Sequence, residues 1–331
     1  MKILVTGGTG YIGSHVVVEL LNQNHEITII DNLANSKITV LDSIKKITGK
    51  KPVFYQIDLL EKTSLEQIFQ NHHFDLVIHF AALKSVSESI ENPLLYYKNN
   101  LMGSLNLFEC MKKHNVPNLI FSSSATVYGD IKNGECTESL PTGQGITNPY
   151  GKTKYMIEEI MKDLASSWPD FSCISLRYFN PIGNHSSGLI GENPNGIPNN
   201  LMPYIMKVAK GELPKLSIYG NDYPTPDGTC LRDYIHVVDL AKGHLAAILA
   251  LKPGFSTFNL GTGKPTSVLE MVAAFKKASG KDLPYEIAPR RAGDLPVLFA
   301  NPTLAEQELG WHAEFTIEDA MRDTLNFLQH H

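Results

Sequence analysis

Cysteine is scarce. The 331 residues hold four (Cys110, Cys136, Cys173, Cys230), widely spaced and without a C-x-x-C pair. That spacing argues against a disulfide framework and against a cysteine-based zinc site, and it fits reduced thiols in a cytoplasmic chain. The 12 histidines also lack metal-ligating spacing, and His72-His73 reads as a solvated loop before a strand, so no metal is expected. No apolar run approaches the roughly 18 residues of a membrane span. The net charge of −5 comes without a basic stripe, so nucleic acid has no electrostatic footprint to bind. Strand-forming residues begin at Lys2, so no signal peptide is expected. Repeats and low-complexity runs are missing too. What remains, 43% hydrophobic and 19% charged residues, is an ordinary globular composition at a length suited to one large or two unequal domains.

The most informative stretch present is Ile3-Leu4-Val5-Thr6-Gly7-Gly8-Thr9-Gly10-Tyr11-Ile12-Gly13. A short apolar strand runs into glycines and then into a helix of apolar period (Ile12, Val16, Leu20). Glycines let the backbone turn tightly and approach a pyrophosphate, and the helix N-terminus offers unpaired N–H groups to it. The pattern alone is weak; its context is what strengthens it. A second strand, Glu26 to Ile30, ends at Asp31, 24 residues after Gly7. A carboxylate there accepts from both adenosine ribose hydroxyls and repels a 2′-phosphate, which selects NAD over NADP.

The alternation continues: a polar helix from about Lys37 to Thr48, a strand at Pro52 to Gln56 ending at Asp58, a helix near Leu65 to Phe69, and a strand at Leu76 to Phe80. Pro93 to His114 reads as one helix, followed by a strand at Leu119 to Ser122, a helix from Tyr150 to Ser167 and a strand at Cys173 to Leu176. Strands alternating with helices predict a doubly wound parallel α/β sheet of Rossmann type. Ligands then sit beyond the carboxyl ends of the strands, where Phe80, Ala81 and Ala82 suit packing against adenosine. Past Tyr178 the chain turns rich in Pro, Gly and Asn, with short helices at Asn200–Lys210, Val237–Ala250, Ser267–Ser279, Pro302–Leu309 and Ile317–Gln329 and strands at Leu216–Tyr219 and Thr257–Leu260. The expected division is a dinucleotide-binding domain over 1–180, to which 232–262 returns, and a smaller mixed α/β substrate domain over 181–331.

Tyr150-Gly151-Lys152-Thr153-Lys154 carries the sharpest chemical signal. Tyr and Lys four apart share one helix face. Forming phenolate at neutral pH from a tyrosine of pKa ~10 costs roughly 4 kcal/mol. A cation about 4 Å away returns on the order of 4 kcal/mol at an effective dielectric of ~20. Lys154 and an oxidised nicotinamide together are expected to make Tyr150 a usable base. The strand before this helix ends in Ser122-Ser123-Ser124, which supplies a hydroxyl partner.

These stretches, with Ser122–Gly129, Asn148–Lys154, Leu176–Pro181, Asn199–Tyr204, Tyr219–Tyr223, Arg232–Val237 and 289–296, resemble the extended short-chain dehydrogenase/reductases over essentially the whole length. The last five stretches resemble the nucleotide-sugar epimerases among them. The resemblance implies interconversion of UDP-galactose and UDP-glucose through tightly bound NAD. Tyr150 would take the 4-hydroxyl proton as hydride leaves C4, Ser124 would hydrogen-bond the same oxygen, and Lys154 would hold the nicotinamide ribose. The 4-keto sugar would then turn and receive hydride on its other face. Implied cofactor contacts are Gly7, Gly10, Tyr11, Ile12, Gly13, Asp31, Asn32, Asn35, Ser36, Asp58, Leu59, Phe80, Ala81, Ala82, Lys84, Asn99, Ser122, Tyr150, Lys154 and Tyr178. Implied substrate contacts are Lys84, Ser124, Tyr150, Phe179, Asn180, Asn199, Asn200, Leu201, Leu216, Ser217, Tyr219, Arg232, Arg291, Asp294 and Leu298. Arg232 and Arg291 suit a diphosphate by their own chemistry as well.

Nucleotide-sugar dehydratases carry an Asp-Glu pair where this chain has Ala125 and Thr126, so dehydration lacks its proton carriers. In the family resembled, Leu298 falls where a large Tyr excludes N-acetylated sugars and a small residue admits them, and leucine is intermediate. UDP-glucose and UDP-galactose are the expected pair, with epimerisation of UDP-N-acetylglucosamine or of a uronic acid as alternatives. A catalytically silent NAD-binding regulator would be expected to lose Tyr150 or Lys154, and both are present with Ser124. The helices Pro93–His114 and Tyr150–Ser167 carry surplus apolar positions, and in the family resembled these two helices pair as a four-helix bundle, which implies a homodimer.

Overall fold

In the computed structural model, which describes all residues except 132, 195–197, 199, 292 and 331, Ile3 to Thr6 are buried in succession, as a central parallel strand requires. This is β1 (Lys2–Thr6). After it come α1 (Tyr11–Asn22), β2 (Glu26–Ile30), α2 (Val40–Thr48), β3 (Val53–Tyr55), α3 (Lys62–Asn71) and β4 (Leu76–His79). A helical run supplies α4 (Val86–Glu91), α5 (Pro93–Tyr96) and α6 (Gly103–Lys113), then β5 (Asn118–Ser124), the short β6 (Glu135–Cys136), α7 (Pro149–Ser167) and β7 (Ser172–Tyr178). The remainder forms β8 (Asn180–Ile182), α8 (Leu201–Ala209), β9 (Leu216–Tyr219), β10 (Leu231–His236), α9 (Val237–Leu249) and β11 (Gly254–Leu260). Last are β12 (Pro265–Ser267), α10 (Val268–Ser279), β13 (Tyr285–Ala288), β14 (Val297–Ala300), α11 (Thr303–Leu309) and α12 (Ile317–His330).

Seven strands pair in the order β11-β7-β5-β4-β1-β2-β3, every neighbour parallel. Helices cover both faces, so this is the doubly wound Rossmann sheet that the alternation predicts. On one face Val16 and Leu20 of α1, Ile44 of α2, Leu240 of α9 and Trp311 share a core. On the other, Leu65 and Phe69 of α3, Leu107 and Met111 of α6, and Ile157 and Met161 of α7 form a second. The chain order reverses between β1 and β4, and a crevice opens beyond the carboxyl ends there. A smaller sheet, β12-β10-β14-β6 with β8 on β10, stands over that crevice, and β9 pairs with β13 beside it.

Three local features depart from the sequence reading. The helix expected over Pro93–His114 is helical to Lys113, but Tyr97–Met102 winds as a π-helix between α5 and α6. Such widened turns recur at functional sites; here the widened turn carries Asn100, whose side chain clasps both backbone groups of Leu83 and reaches Thr153 Oγ1 at 3.1 Å. Strands β5 and β7 continue past their apolar runs to Ser124 and Tyr178, because a buried carboxylate, Glu158, satisfies Ser123, Ser175 and Arg177. The short strands β6, β8, β10, β12, β13 and β14 escape sequence reading because two to six residues among Pro and Gly show no period.

Candidate active site

One cavity of about 1530 Å³ runs along the crevice and is lined by all the site residues named from sequence except Asn199, which lies outside the described residues. At one end the glycine-rich turn opens onto α1. Gly7 holds φ of +71°, and a Cβ there would come within 2.8 Å of the Ala81 amide, so only glycine lets β1 and β4 end this close together. A Cβ on Gly13 would collide with the Gly7 carbonyl. The N-cap Gly10 contributes no side chain, which leaves the first amides of α1 to an incoming anion. Asp31 is buried at the end of β2 and accepts from the Thr9 amide at 3.2 Å, the Leu33 amide at 2.9 Å and Ser36 Oγ at 3.2 Å. Asn32 donates to Asp58 at 2.8 Å, so the ends of β2 and β3 form one wall with Asn35 and Leu59. Phe80, Ala81 and Ala82 line the crevice after β4, and Asn99 enters from the π-helical turn. Glycine cradle, bare helix terminus and carboxylate together fit a dinucleotide.

In the middle, α7 starts at Asn148, whose side chain accepts from the Gly151 amide at 2.8 Å, with Pro149 at the first turn. This sets Tyr150 and Lys154 on one face toward β5. Lys154 is buried, donates to the Ser122 carbonyl at 2.6 Å and lies over the Phe121 ring at 4.8 Å. Ser124 Oγ accepts from both the amide and the hydroxyl of Thr126, at 3.2 and 3.0 Å. Both lone pairs are thereby filled, and its proton is directed to the Tyr150 phenol, with which it is hydrogen-bonded. Tyr178 closes the floor. Its hydroxyl meets His244 Nε2 at 2.5 Å, while His244 Nδ1 donates to the Leu240 carbonyl at 2.8 Å, so Nε2 is the acceptor. Burial holds His244 neutral, its pKa pushed down to about 4.

Burial raises the Tyr150 phenol, offset in part by Ser124, whereas the sequence expectation rests on Lys154 and an oxidised nicotinamide acting together. Burial also lowers Lys154 to about 7, with the Glu158 carboxylate acting in the other direction. A closed site penalises both charged forms.

At the far end Arg232 on β10 donates to the carbonyls of Leu231 and Leu295 at 2.9 and 2.8 Å. Arg291 Nε reaches Asp294 Oδ2 at 2.9 Å, and Arg232 Nη2 stands 3.8 Å from the other oxygen, so one carboxylate bridges two guanidinium groups. Arg291 also stacks over Tyr219 at 4.6 Å. Leu216 and Ser217 follow the β9 edge, and register pairs Leu298 with Arg232. Phe179, Asn180 and Leu201 complete the wall. Glu192 was not anticipated: its carboxylate accepts from Lys84 Nζ at 3.0 Å and Asn200 Nδ2 at 3.2 Å. Thr126 and Asn100 were missed as well. Each acts through contacts that local spacing does not announce, although the Ser-x-Thr spacing at 124–126 was a signal for the first.

The sequence model of the NAD dependent epimerase/dehydratase family matches residues 3–261. The chain is 53% identical over 323 residues to the UDP-glucose 4-epimerase of Yersinia enterocolitica, covering 98% of this chain and 96% of that one. It is 54% identical over 329 residues to that of Haemophilus influenzae, covering 99% and 97%. The fold superposes with a TM-score of 0.96 on the crystal structure of UDP-glucose 4-epimerase from Bifidobacterium longum in complex with NAD+ and UDP, at 50% identity, covering 100% and 98%. With the glycine cradle, the Tyr150–Lys154 face and matches of this extent in one chain, the protein belongs to the NAD dependent epimerase/dehydratase family.

Proposed function

We propose that this chain is an NAD-dependent enzyme that interconverts UDP-galactose and UDP-glucose by epimerisation at C4. The observation that carries the reading is the continuity of one cavity from the glycine cradle, past Ser124 and Tyr150, to the arginines bridged by Asp294. Its volume exceeds the roughly 300–1,000 Å³ of a single small-ligand site, as two ligands end to end require. Bound NAD supplies the acceptor of the C4 hydride and afterwards its donor. Tyr150 takes the proton from the 4-hydroxyl and returns it after the ring has turned. Ser124, its lone pairs filled by Thr126, donates to the same oxygen. Lys154 orients the nicotinamide ribose and favours the phenolate while it is charged. Arg232 and Arg291 hold the diphosphate, Asp294 accepts from the uridine ribose, and the β9 backbone and Tyr219 take the uracil. Asn180, Asn200 and Leu201 frame the sugar.

In this reading residues 1–180 and 237–262 form the cofactor side and the rest of 181–331 the substrate side; β10, expected with the former from residue 232, pairs instead with β8, β12 and β14 of the smaller sheet. No described helix is long and apolar enough to cross a membrane. The four cysteines are unpaired and buried, which suits the reducing cytoplasm. Exposed apolar side chains gather on the helices of one face, Ile90, Leu94, Met102, Leu105 and Met156, and a homodimer would cover them.

Purified protein incubated with UDP-galactose and no added NAD is expected to give UDP-glucose, followed by proton NMR of the anomeric signals. Silence even after NAD is restored would reject the reading. A second reading, turnover of N-acetylated UDP-sugars, is raised by Leu298, which lines the cavity and is smaller than a tyrosine. The same assay with UDP-N-acetylgalactosamine separates the two.

A further inference from the structure

Helix α7 presents three polar residues at successive spacings of four: Tyr150, Lys154 and Glu158. The chemistry above uses the first two. Glu158 is fully buried. A buried carboxylate persists only when its charge is met. Its Oε1 accepts from Ser123 Oγ at 2.6 Å, Ser175 Oγ at 2.7 Å and Arg177 Nε at 3.0 Å, and its Oε2 accepts from Arg177 Nη2 at 2.7 Å. Arg177 goes on to the Tyr128 hydroxyl at 3.0 Å, which donates to Asn259 Oδ1 at 2.7 Å.

Stability does not account for this arrangement, since apolar residues of similar volume commonly replace a buried ion pair without loss. Location does. Ser123, bonded to Glu158, sits between Ser122, whose carbonyl receives Lys154, and Ser124, which meets Tyr150. The groups around Lys154 are few. Tyr150 and Glu158 face it from α7, the neutral His79 from β4, and the Phe121 ring and Ser122 carbonyl from β5. Tyr178 of β7 stands by Tyr150 with its phenol held protonated by burial. Among the described residues, Glu158 is the carboxylate whose charge acts on Lys154.

We propose that Glu158 is a positioning residue of the reaction: it fastens α7 to β5 at Ser123, and its negative charge favours the ammonium form of Lys154 in a site that expels charge. The inference rests on the epimerase reading for its consequence in turnover, but the charge state of Lys154 can be read without turnover.

The test uses the cofactor-loaded enzyme labelled with [13Cε]lysine, the Lys154 signal being assigned by its loss in Lys154→Arg. In Glu158→Gln the titration midpoint of Lys154 is expected to fall by about one to three pH units, the effect of removing one close opposite charge. The alkaline limb of kcat should move down with it, while KM for UDP-galactose changes little. Because Glu158→Gln strands the Arg177 guanidinium and can fail to fold, Glu158→Leu/Arg177→Met is measured beside it and should show a fall in the same direction. Ser175→Ala removes a bond to the carboxylate without its charge, and is expected to lower Tm and leave the midpoint unchanged. A wild-type midpoint in Glu158→Gln or in the double variant would overturn the proposal. If the wild-type enzyme turns over no UDP-sugar, the epimerase reading fails, and the midpoints still decide the assignment of Glu158.

Discussion

Tyr150 is enclosed and hydrogen-bonded by Ser124; burial raises its pKa and the Ser124 hydroxyl opposes that rise. Replacing it by phenylalanine removes the only proposed proton carrier at that oxygen and little volume. Tyr150→Phe is expected to lose about 10²- to 10⁴-fold in kcat, the usual worth of a general acid–base group, with KM within a few-fold. Initial rates by proton NMR check this, and an unchanged kcat would remove Tyr150 from the mechanism. At this scale the sequence was legible wherever chemistry follows spacing. Gly7, Gly10 and Gly13, Asp31 after a strand, and Tyr150 with Lys154 declare themselves within a few positions and all line the cavity. Glu192 does not, because its partner Lys84 is 108 positions away in the chain. The sign of the Tyr150 shift was illegible for another reason: spacing gives the distance to Lys154, whereas burial, which dominates both groups, is a property of the closed fold.

Elements inherit their precision from their ends. Helix α7 begins where Asn148 satisfies the Gly151 amide, two residues before Tyr150. Asn148→Ala is expected to cost about 1 kcal/mol of unfolding free energy. Urea unfolding measures that loss, and a lowered kcat at full folding would show that the cap also aims the tyrosine. The seven main strands were readable because their apolar runs alternate with helical period. Their lengths were less so: β5 and β7 run on through polar residues whose partners lie on α7. The π-helical turn over Tyr97–Met102 could not be read at all, since one extra residue in a turn leaves the apolar pattern of either flank intact.

For the whole molecule, the exposed apolar face on α4, α5, α6 and α7 sets the expected assembly. Leu105 and Met156 are 36% and 38% exposed, so charging them costs the single protomer little. Wild-type protein should sediment as a dimer at micromolar concentration and a Leu105→Glu/Met156→Glu variant as a monomer with nearly unchanged Tm; a monomeric wild type would reject the homodimer. One further property follows from strand β11, which fills the edge of the main sheet beside β7 although the chain between them builds much of the wall over the crevice. That intervening stretch is stitched into the sheet at both ends, leaving through β7 and coming back through α9, which packs on α1, and β11. It is not a detachable cap. A chain cut after Tyr178 would bare one full side of β7 and the apolar flank of α1 together, so the dinucleotide half is not expected to exist as a free-standing fragment.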